Sequence, residues 1–284
     1  MSGPNSTSFR AGVVQLRSTE SSEDNLEASV RLVRAAASDG AEFIALPENF
    51  AFLALESSTA HPEMTLEGSE VSAMRALARE LGVHLLLGSI SEKSPIPDRT
   101  YNTSVWIDRG GDIAATYRKI HLFDIDIPGA ESHRESDRIV PGDDAVIVET
   151  EFGRFGLTIC YDLRFPELYR ELVDRGATLL CMPAAFTLTT GRDHWHPLLR
   201  ARAIENQCHV IAPGQWGHHG GRRRSFGHSC IIDPWGTILA EVPDGTGYAI
   251  ARIDPERTRR VRSQLPALEH RRHSVVKEVP CIQD

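Results

Sequence analysis

The sequence predicts an α/β protein, a four-layer α-β-β-α sandwich assembled from two pseudo-symmetric halves. Three observations predict it. Strand-like and helix-like segments alternate along the chain, which implies a layered α/β arrangement. The strand-like runs FIALP, TLLCMP and HLLLGSI are apolar with no alternating polar face, as expected of sheets covered on both sides. Finally, the chain repeats its own order of motifs halfway along its length.

The elements follow in sequence. Arg10-Ala-Gly-Val-Val-Gln-Leu16 opens the first half as a strand, and Arg154-Phe-Gly-Leu-Thr-Ile-Cys160 opens the second. Helical segments come next, LEASVRLVRAAASDG and PELYRELVDRG, each ending in a glycine that can stop a helix. Gly40-Ala-Glu-Phe-Ile-Ala-Leu-Pro-Glu-Asn-Phe50 then pairs with Gly176-Ala-Thr-Leu-Leu-Cys-Met-Pro-Ala-Ala-Phe186: Gly-Ala, an apolar run, and Pro-x-x-Phe. Another helix and strand follow in each half, MRALARELGVHLLLGSI and HPLLRARAIENQCHVIAPG. Last come two hairpins, Ser104–Asp108 with Gly111 and Ser229–Asp233 with Gly236, whose glycines suit tight turns. Each half therefore reads β-α-β-α-β-β. Neither can cover the inner face of its own sheet, so residues 9–265 are read as one domain. Residues 266–284 are polar and read as an extended C-terminal tail.

Composition narrows the function. The 284 residues carry a formal net charge of −8, which argues against a nucleic-acid polyanion as the main partner. No run approaches the ~18 apolar residues of a membrane span, and MSGPNSTSFR has no hydrophobic signal core. A cytoplasmic location without membrane attachment is the expectation. The five cysteines, at 160, 181, 208, 230 and 281, show no C-x2-C spacing and read as reduced thiols.

Three residues invite a chemical reading. Glu48 follows the strand FIALP at its carboxyl end, where α/β proteins place their sites. Cys160 ends the first strand of the second half, and Lys119 lies just past the first hairpin. A thiolate is a strong nucleophile for amides, a carboxylate can accept its proton and return it to the leaving amine, and a cation can stabilise the oxyanion. Each also has a plainer reading. A strand-end cysteine is usually packing, a glutamate after a strand often caps a helix, and Lys119 beside Arg118 suits a solvated surface.

Together, ALPENF (45–50), YRKIHLFD (117–124) and GLTICYDLRFPE (156–167) resemble the blocks of the nitrilase superfamily of carbon–nitrogen hydrolases. The resemblance runs from about Arg10 to Arg271. It implies the α-β-β-α fold and a catalytic triad of Glu48, Lys119 and Cys160, with no cofactor and no metal. It adds Glu135, in RESDRIVPGD, as a second glutamate that orients substrate and lysine. It gives Lys119 and the Tyr161 backbone N–H as oxyanion donors.

Within that superfamily, FDIDIPG…RES, PAAFTLTTGRDHW, LLRARAIENQ, SFGHS and DPWGT look similar to the branch of deaminated glutathione amidases and ω-amidases. The implied substrate is a small 2-oxo acid amide bearing carboxylates, cleaved through a thioester with release of ammonia. A nitrile or an N-carbamoyl amino acid is the alternative substrate for the same triad, and a non-catalytic binding protein the alternative class. Arg164 is the candidate carboxylate anchor, its plain alternative being a salt bridge to Glu167 or Asp162. Phe186 and Thr190 are candidate pocket walls. Arg222-Arg223-Arg224 reads as a solvated loop or as an attractor of doubly charged substrate. His194, His196, His218 and His219 lack metal-motif spacing and are expected at a surface or interface. Leu198, Leu199, Ala203 and Ile204 form an apolar stripe facing a core or a subunit contact, and the resemblance implies a homodimer or larger assembly.

Overall fold

The computed structural model describes residues 7–55, 62–127 and 131–272. In the first half, β1 (Phe9–Gln15), α1 (Ser22–Ser38) and β2 (Phe43–Ala45) precede α2 (Ser69–Leu81). Strands β3 (His84–Lys93), β4 (Thr100–Ile107) and β5 (Ile113–Arg118) complete it. A small hairpin, β6 (Asp124–Ile127) with β7 (Glu131–Arg134), leads to β8 (Ile147–Thr150). The second half holds β9 (Gly153–Leu157), α3 (Pro166–Asp174), β10 (Leu179–Cys181), α4 (Leu188–Asn206) and β11 (His209–Ala212). It continues with hairpin β12 (Trp216–Gly220) and β13 (Arg223–Phe226), then β14 (Cys230–Ile232) and β15 (Ile238–Glu241). Strand β16 (Gly247–Ile253) and helix α5 (Pro255–Gln264) follow.

Two six-stranded sheets result, ordered β16-β1-β2-β3-β4-β5 and β8-β9-β10-β11-β14-β15. In each, three central strands run parallel and the flanking strands antiparallel. The sheets share one plan. Each sheet has more strands than β-α-β-α-β-β allows, because the hairpin contributes both arms and a further edge strand joins. That edge strand is β8 in one sheet and β16, from the far end of the chain, in the other.

The uniform apolarity of the strands now has a cause. Phe9, Ala11 and Val13 of β1, Phe43 and Ala45 of β2, and Leu86 of β3 face the second sheet, packing with Phe155, Leu157, Cys181 and Ile211. The intervening Val14, Ile44, Leu85 and Leu87 face α1 and α2, meeting Leu32, Val33, Leu77 and Ala78. Successive side chains point to opposite faces, and here both faces are dry.

The duplication extends to turn chemistry. Asp108 Oδ1 accepts the N–H groups of Gly110 (2.8 Å) and Asp112 (2.9 Å). Asp233 Oδ1 accepts those of Trp235 (2.9 Å) and Thr237 (2.8 Å). The matching Gly111 and Gly236 take φ of +81° and +84°, a region costly for other residues.

Two boundaries differ from the sequence expectation. Helix α4 starts at Leu188, not near Pro197, because the Thr187 hydroxyl caps it and accepts from Thr190 N–H. Proline reads as a helix start, yet here Pro197 sits inside the helix. Buried Trp195, packed on Phe186 at 5.2 Å, anchors the turns before it. Of the stripe on this helix, Leu199 and Ala203 are buried while Ile204 is 50% exposed. The expected tail is a folded turn at its start, with His270 N–H donating to Pro266 O at 3.1 Å; residues 273–284, including Cys281, lie outside the described residues. Among the described residues no helix is long and apolar enough to cross a membrane.

Candidate active site

Glu48, Lys119 and Cys160 meet between the two halves. The strand β2 ends at Ala45, and Leu46-Pro47 carries the chain on to Glu48, whose side chain is almost wholly buried. Gly88 permits this path, since a Cβ there would stand 2.1 Å from the Pro47 carbonyl oxygen. Lys119 follows β5 directly. Strand alternation turns Tyr117 and Lys119 inward and Arg118 outward to Glu92, so the adjacent pair Arg118-Lys119 is not a solvated one. Cys160 begins a short 3-10 turn, Cys160–Arg164, with φ of +47°. Its N–H donates to Pro183 O at 2.9 Å.

The polar contacts form one network. Glu48 Oε1 accepts from Lys119 Nζ at 3.1 Å and Asn102 Nδ2 at 2.8 Å, and Oε2 accepts from Ala185 N–H at 2.8 Å. Lys119 Nζ also donates to Glu135 at 2.8 and 3.1 Å. Glu135 in turn accepts from Phe123 N–H at 2.6 Å and from Asn102 at 3.1 Å. The Cys160 thiol lies in the field of both the Glu48 carboxylate and the Lys119 ammonium. Gln215 ties the same loop from the second half, donating to the Glu48 carbonyl at 2.9 Å.

These contacts fix charge. Burial alone would raise the Glu48 carboxyl, but Lys119 and the hydrogen bonds from Cys160 and Asn102 hold it below the usual range. Burial works against the Lys119 ammonium, yet Glu135 and Glu48 keep it well above an ordinary lysine. Burial and the neighbouring Glu48 push the Cys160 thiol well up, with Lys119 opposing only in part. These directions favour a neutral thiol beside a charged carboxylate and a charged ammonium. A testable consequence follows. Comparing the ultraviolet thiolate absorbance of the wild type with Cys160→Ala should show no Cys160 thiolate at a pH of about 8.5, where a free cysteine is half ionised. A thiolate difference already present at neutral pH would refute this charge state.

Two residues here were not foreseen. The Asn102 amide bridges both glutamates, and its backbone carbonyl accepts from Lys119 N–H at 2.9 Å. Hairpin register carries the signal: Thr103 pairs with Arg118, so Asn102 stands opposite Lys119. Asp162 is fully buried and accepts from Tyr117 Oη at 2.7 Å, Ile159 N–H at 2.8 Å and His121 N–H at 3.1 Å. His121 Nδ1 lies 2.7 Å from the same carboxylate. It thereby locks the turn bearing Cys160 to the segment bearing Lys119.

The remaining candidates sort differently. Arg164 pairs with neither Glu167 nor Asp162 among the described contacts. Its guanidinium lies 5.3 Å from the Phe186 ring centre and 5.8 Å from that of Tyr161, with Nη1 3.3 Å from His194 Nδ1. Phe186 is buried beside Trp195. The Thr190 hydroxyl engages Thr187 at 3.0 Å within the α4 cap, and no described contact joins it to the triad. Arg222 and Arg224 are exposed, whereas Arg223 is half-buried and donates to Ala54 O at 2.6 Å. His219 contradicts the surface expectation. It is buried on the inward side of β12, near Ser18 O (2.8 Å) and Ser225 Oγ (2.9 Å), and burial pulls it down to about 4. Cys160, Cys181, Cys208 and Cys230 are all free thiols.

A paired-sheet sandwich with a buried Glu-Lys-Cys constellation defines a class, and comparison with known proteins identifies it. Residues 10–263 match the family described as carbon-nitrogen hydrolase, and the chain belongs to that family, within the nitrilase superfamily. It is an amidase, an enzyme acting on C–N bonds. The deaminated glutathione amidase of Synechocystis sp. is 42% identical over 270 residues, covering 93% of this chain and 98% of that protein. The NitFhit protein of C. elegans superposes with a TM-score of 0.87 at 38% identity, covering 96% of this chain and 66% of that one. An amidase variant from Nesterenkonia sp. has a TM-score of 0.77 at 25% identity, over 95% and 97% of the two chains. It carries the acetamide moiety of fluoroacetamide added covalently at its active-site cysteine.

Proposed function

We propose that this amidase hydrolyses the amide of a small, carboxylate-bearing 2-oxo acid amide, of the deaminated glutathione or ω-amide type, through a thioester on Cys160. The observation that carries the reading is the buried Glu48 carboxylate, which pairs with the Lys119 ammonium at 3.1 Å and acts electrostatically on the Cys160 thiol.

Glu48 removes the thiol proton as sulfur attacks the carbonyl carbon. The carbonyl oxygen becomes an oxyanion held by Lys119 and the Tyr161 backbone N–H. Glu48 returns the proton to nitrogen, the C–N bond breaks, and ammonia leaves a thioester. Glu48 then takes a proton from water, hydroxide adds to the thioester, and the thiol reforms as the carboxylic acid departs. Glu135 and Asn102 hold Lys119 and Glu48 in place throughout. Arg164, held beside Tyr161 and Phe186, supplies a cation for the substrate carboxylate; guanidinium suits it by its paired donors. The names of the relatives support the substrate class, and the cysteine adduct in the Nesterenkonia amidase supports the nucleophile. The polar, charged site and the formal charge of −8 suit a small molecule better than a nucleic acid. Self-association and cytoplasmic residence are part of the same reading.

An ammonia-release panel over deaminated glutathione, 2-oxoglutaramate, a simple nitrile and an N-carbamoyl amino acid tests it. The two oxo-acid amides should be the best substrates, with no carbon dioxide formed. Preference for the nitrile, or carbon dioxide released from the carbamoyl compound as the fastest reaction, would overturn the substrate assignment.

A further inference from the structure

His196, His228 and Glu241 converge away from the triad, each from a different element. His196 lies on α4, Glu241 ends β15, and His228 sits just before β14 with φ of +55°. Glu241 Oε1 is 2.6 Å from His228 Nδ1 and 3.3 Å from His196 Nε2. One ligand-type atom from each of the three lies within 4.8 Å of the others. His196 Nε2 is buried and makes no hydrogen bond, since the carboxylate beside it lacks hydrogen-bond geometry.

We propose that these three side chains bind a divalent first-row transition-metal ion, with zinc the best match. Two imidazole nitrogens and one carboxylate oxygen form a zinc-type donor set, and a fourth position is left for solvent. Ligand bonds of about 2.0–2.2 Å put the donor atoms of a tetrahedron roughly 3.3 Å apart. The His196–Glu241 separation already has that value, and the His228–Glu241 pair needs to open by a fraction of an ångström. Loss of the Nδ1 proton from His228 frees the lone pair that would face the ion.

The surroundings are those of a supported site. Asp244 Oδ1 lies 3.6 Å from His228 Nε2, on the far side of the ring, and receives the Trp216 indole N–H at 3.3 Å. A carboxylate behind a ligating histidine orients the ring and raises its basicity. Phe226 stacks on His228 at 4.5 Å, and the His228 carbonyl accepts the Trp195 indole N–H at 2.8 Å. A hollow of about 470 Å³, walled in part by His228, Asp244 and Trp216, opens on the far side of the His228 ring from Glu241. The ligands stand 32 and 13 residues apart, so no local motif betrays them. Bound metal would clip α4 to β15, behind the Phe186–Thr190 segment.

Zinc chloride titrated into full-length Cys160→Ala, which removes the active-site thiol, tests the site by calorimetry and thermal melting. One zinc per chain and a raised Tm are expected. In that background His196→Ala and His228→Gln should weaken binding by more than the roughly 10–100-fold that outer-shell partners cost, and abolish the Tm rise. His196 is half-buried on a helix that tolerates alanine, so this variant should fold. Absence of stoichiometric binding, or unchanged affinity in either variant, would overturn the proposal. The second result would mean that zinc binds another group, and that His196–Glu241–His228 is only a proton-bridged cluster.

Discussion

Cys160→Ala should lower amide turnover by roughly 10⁴- to 10⁶-fold, the range seen when one member of a catalytic unit is removed. The fold should survive. The exchange deletes a single sulfur from a buried position, and alanine tolerates the +47° backbone about as well as cysteine. A loss of about 1 kcal/mol, or ~2–4 °C in Tm, is the expected scale. Steady-state ammonia release beside a melting curve reads both quantities. Residual activity within about tenfold of wild type, in a folded variant, would remove Cys160 from the mechanism.

Lys119→Met should damage both activity and stability. Methionine keeps most of the volume but leaves Glu48 and Glu135 buried side by side without their shared cation. Removing one partner of a buried ionic group typically costs ~3–5 kcal/mol, because the charge left behind has no compensation. One or both glutamates would escape by protonating. Glu48 would then be the acid form where catalysis needs the base, and the oxyanion would lose a donor worth roughly 10²–10³ in kcat. Urea unfolding at neutral and mildly acidic pH separates the effects. The stability deficit should narrow at lower pH, since protonated glutamates repel less. The sign follows from linkage: Glu48 in the wild type is held below its ordinary value, so its stabilisation is present above the unfolded value and is lost as pH falls through the folded one. The variant has lost that stabilisation already. A deficit independent of pH would show that the lysine acts through packing alone.

Much of the fold and the centre of the site were legible because they leave periodic or repeated marks. The apolar strands, the glycine-ended helices and the two Asp-x-x-Gly turns recur in both halves, and the structure places Asp108 and Asp233 in matching roles. The division of the candidate residues between the two halves was legible too. Leu16 holds in the first half the place of Cys160, and Ala184 in the second the place of Glu48. The structure adds a link: the N–H of the neighbouring Ala185 donates to Glu48 Oε2.

What escaped the sequence is what depends on distance across the fold. Strand β16 pairs with β1 from more than two hundred residues away, Phe9 opposite Ile253, and no local pattern announces such an edge. Asn102 and Asp162 look like ordinary polar residues until the hairpin and the 3-10 turn bring their donors and acceptors together. His219 reads as half of a surface pair, yet strand alternation buries it while leaving His218 exposed. Thr190 reads as a pocket wall from its place after Phe186, but the helix cap claims its hydroxyl.

The central claim is a covalent acyl group on Cys160, and intact-protein mass spectrometry of acid-quenched turnover mixtures tests it most directly. With a substrate amide, wild type should gain the mass of the substrate less ammonia, mapped by peptide digestion to Cys160, and Cys160→Ala should gain nothing. Turnover proceeding with no adduct in wild type, or an adduct on another residue, would contradict the account.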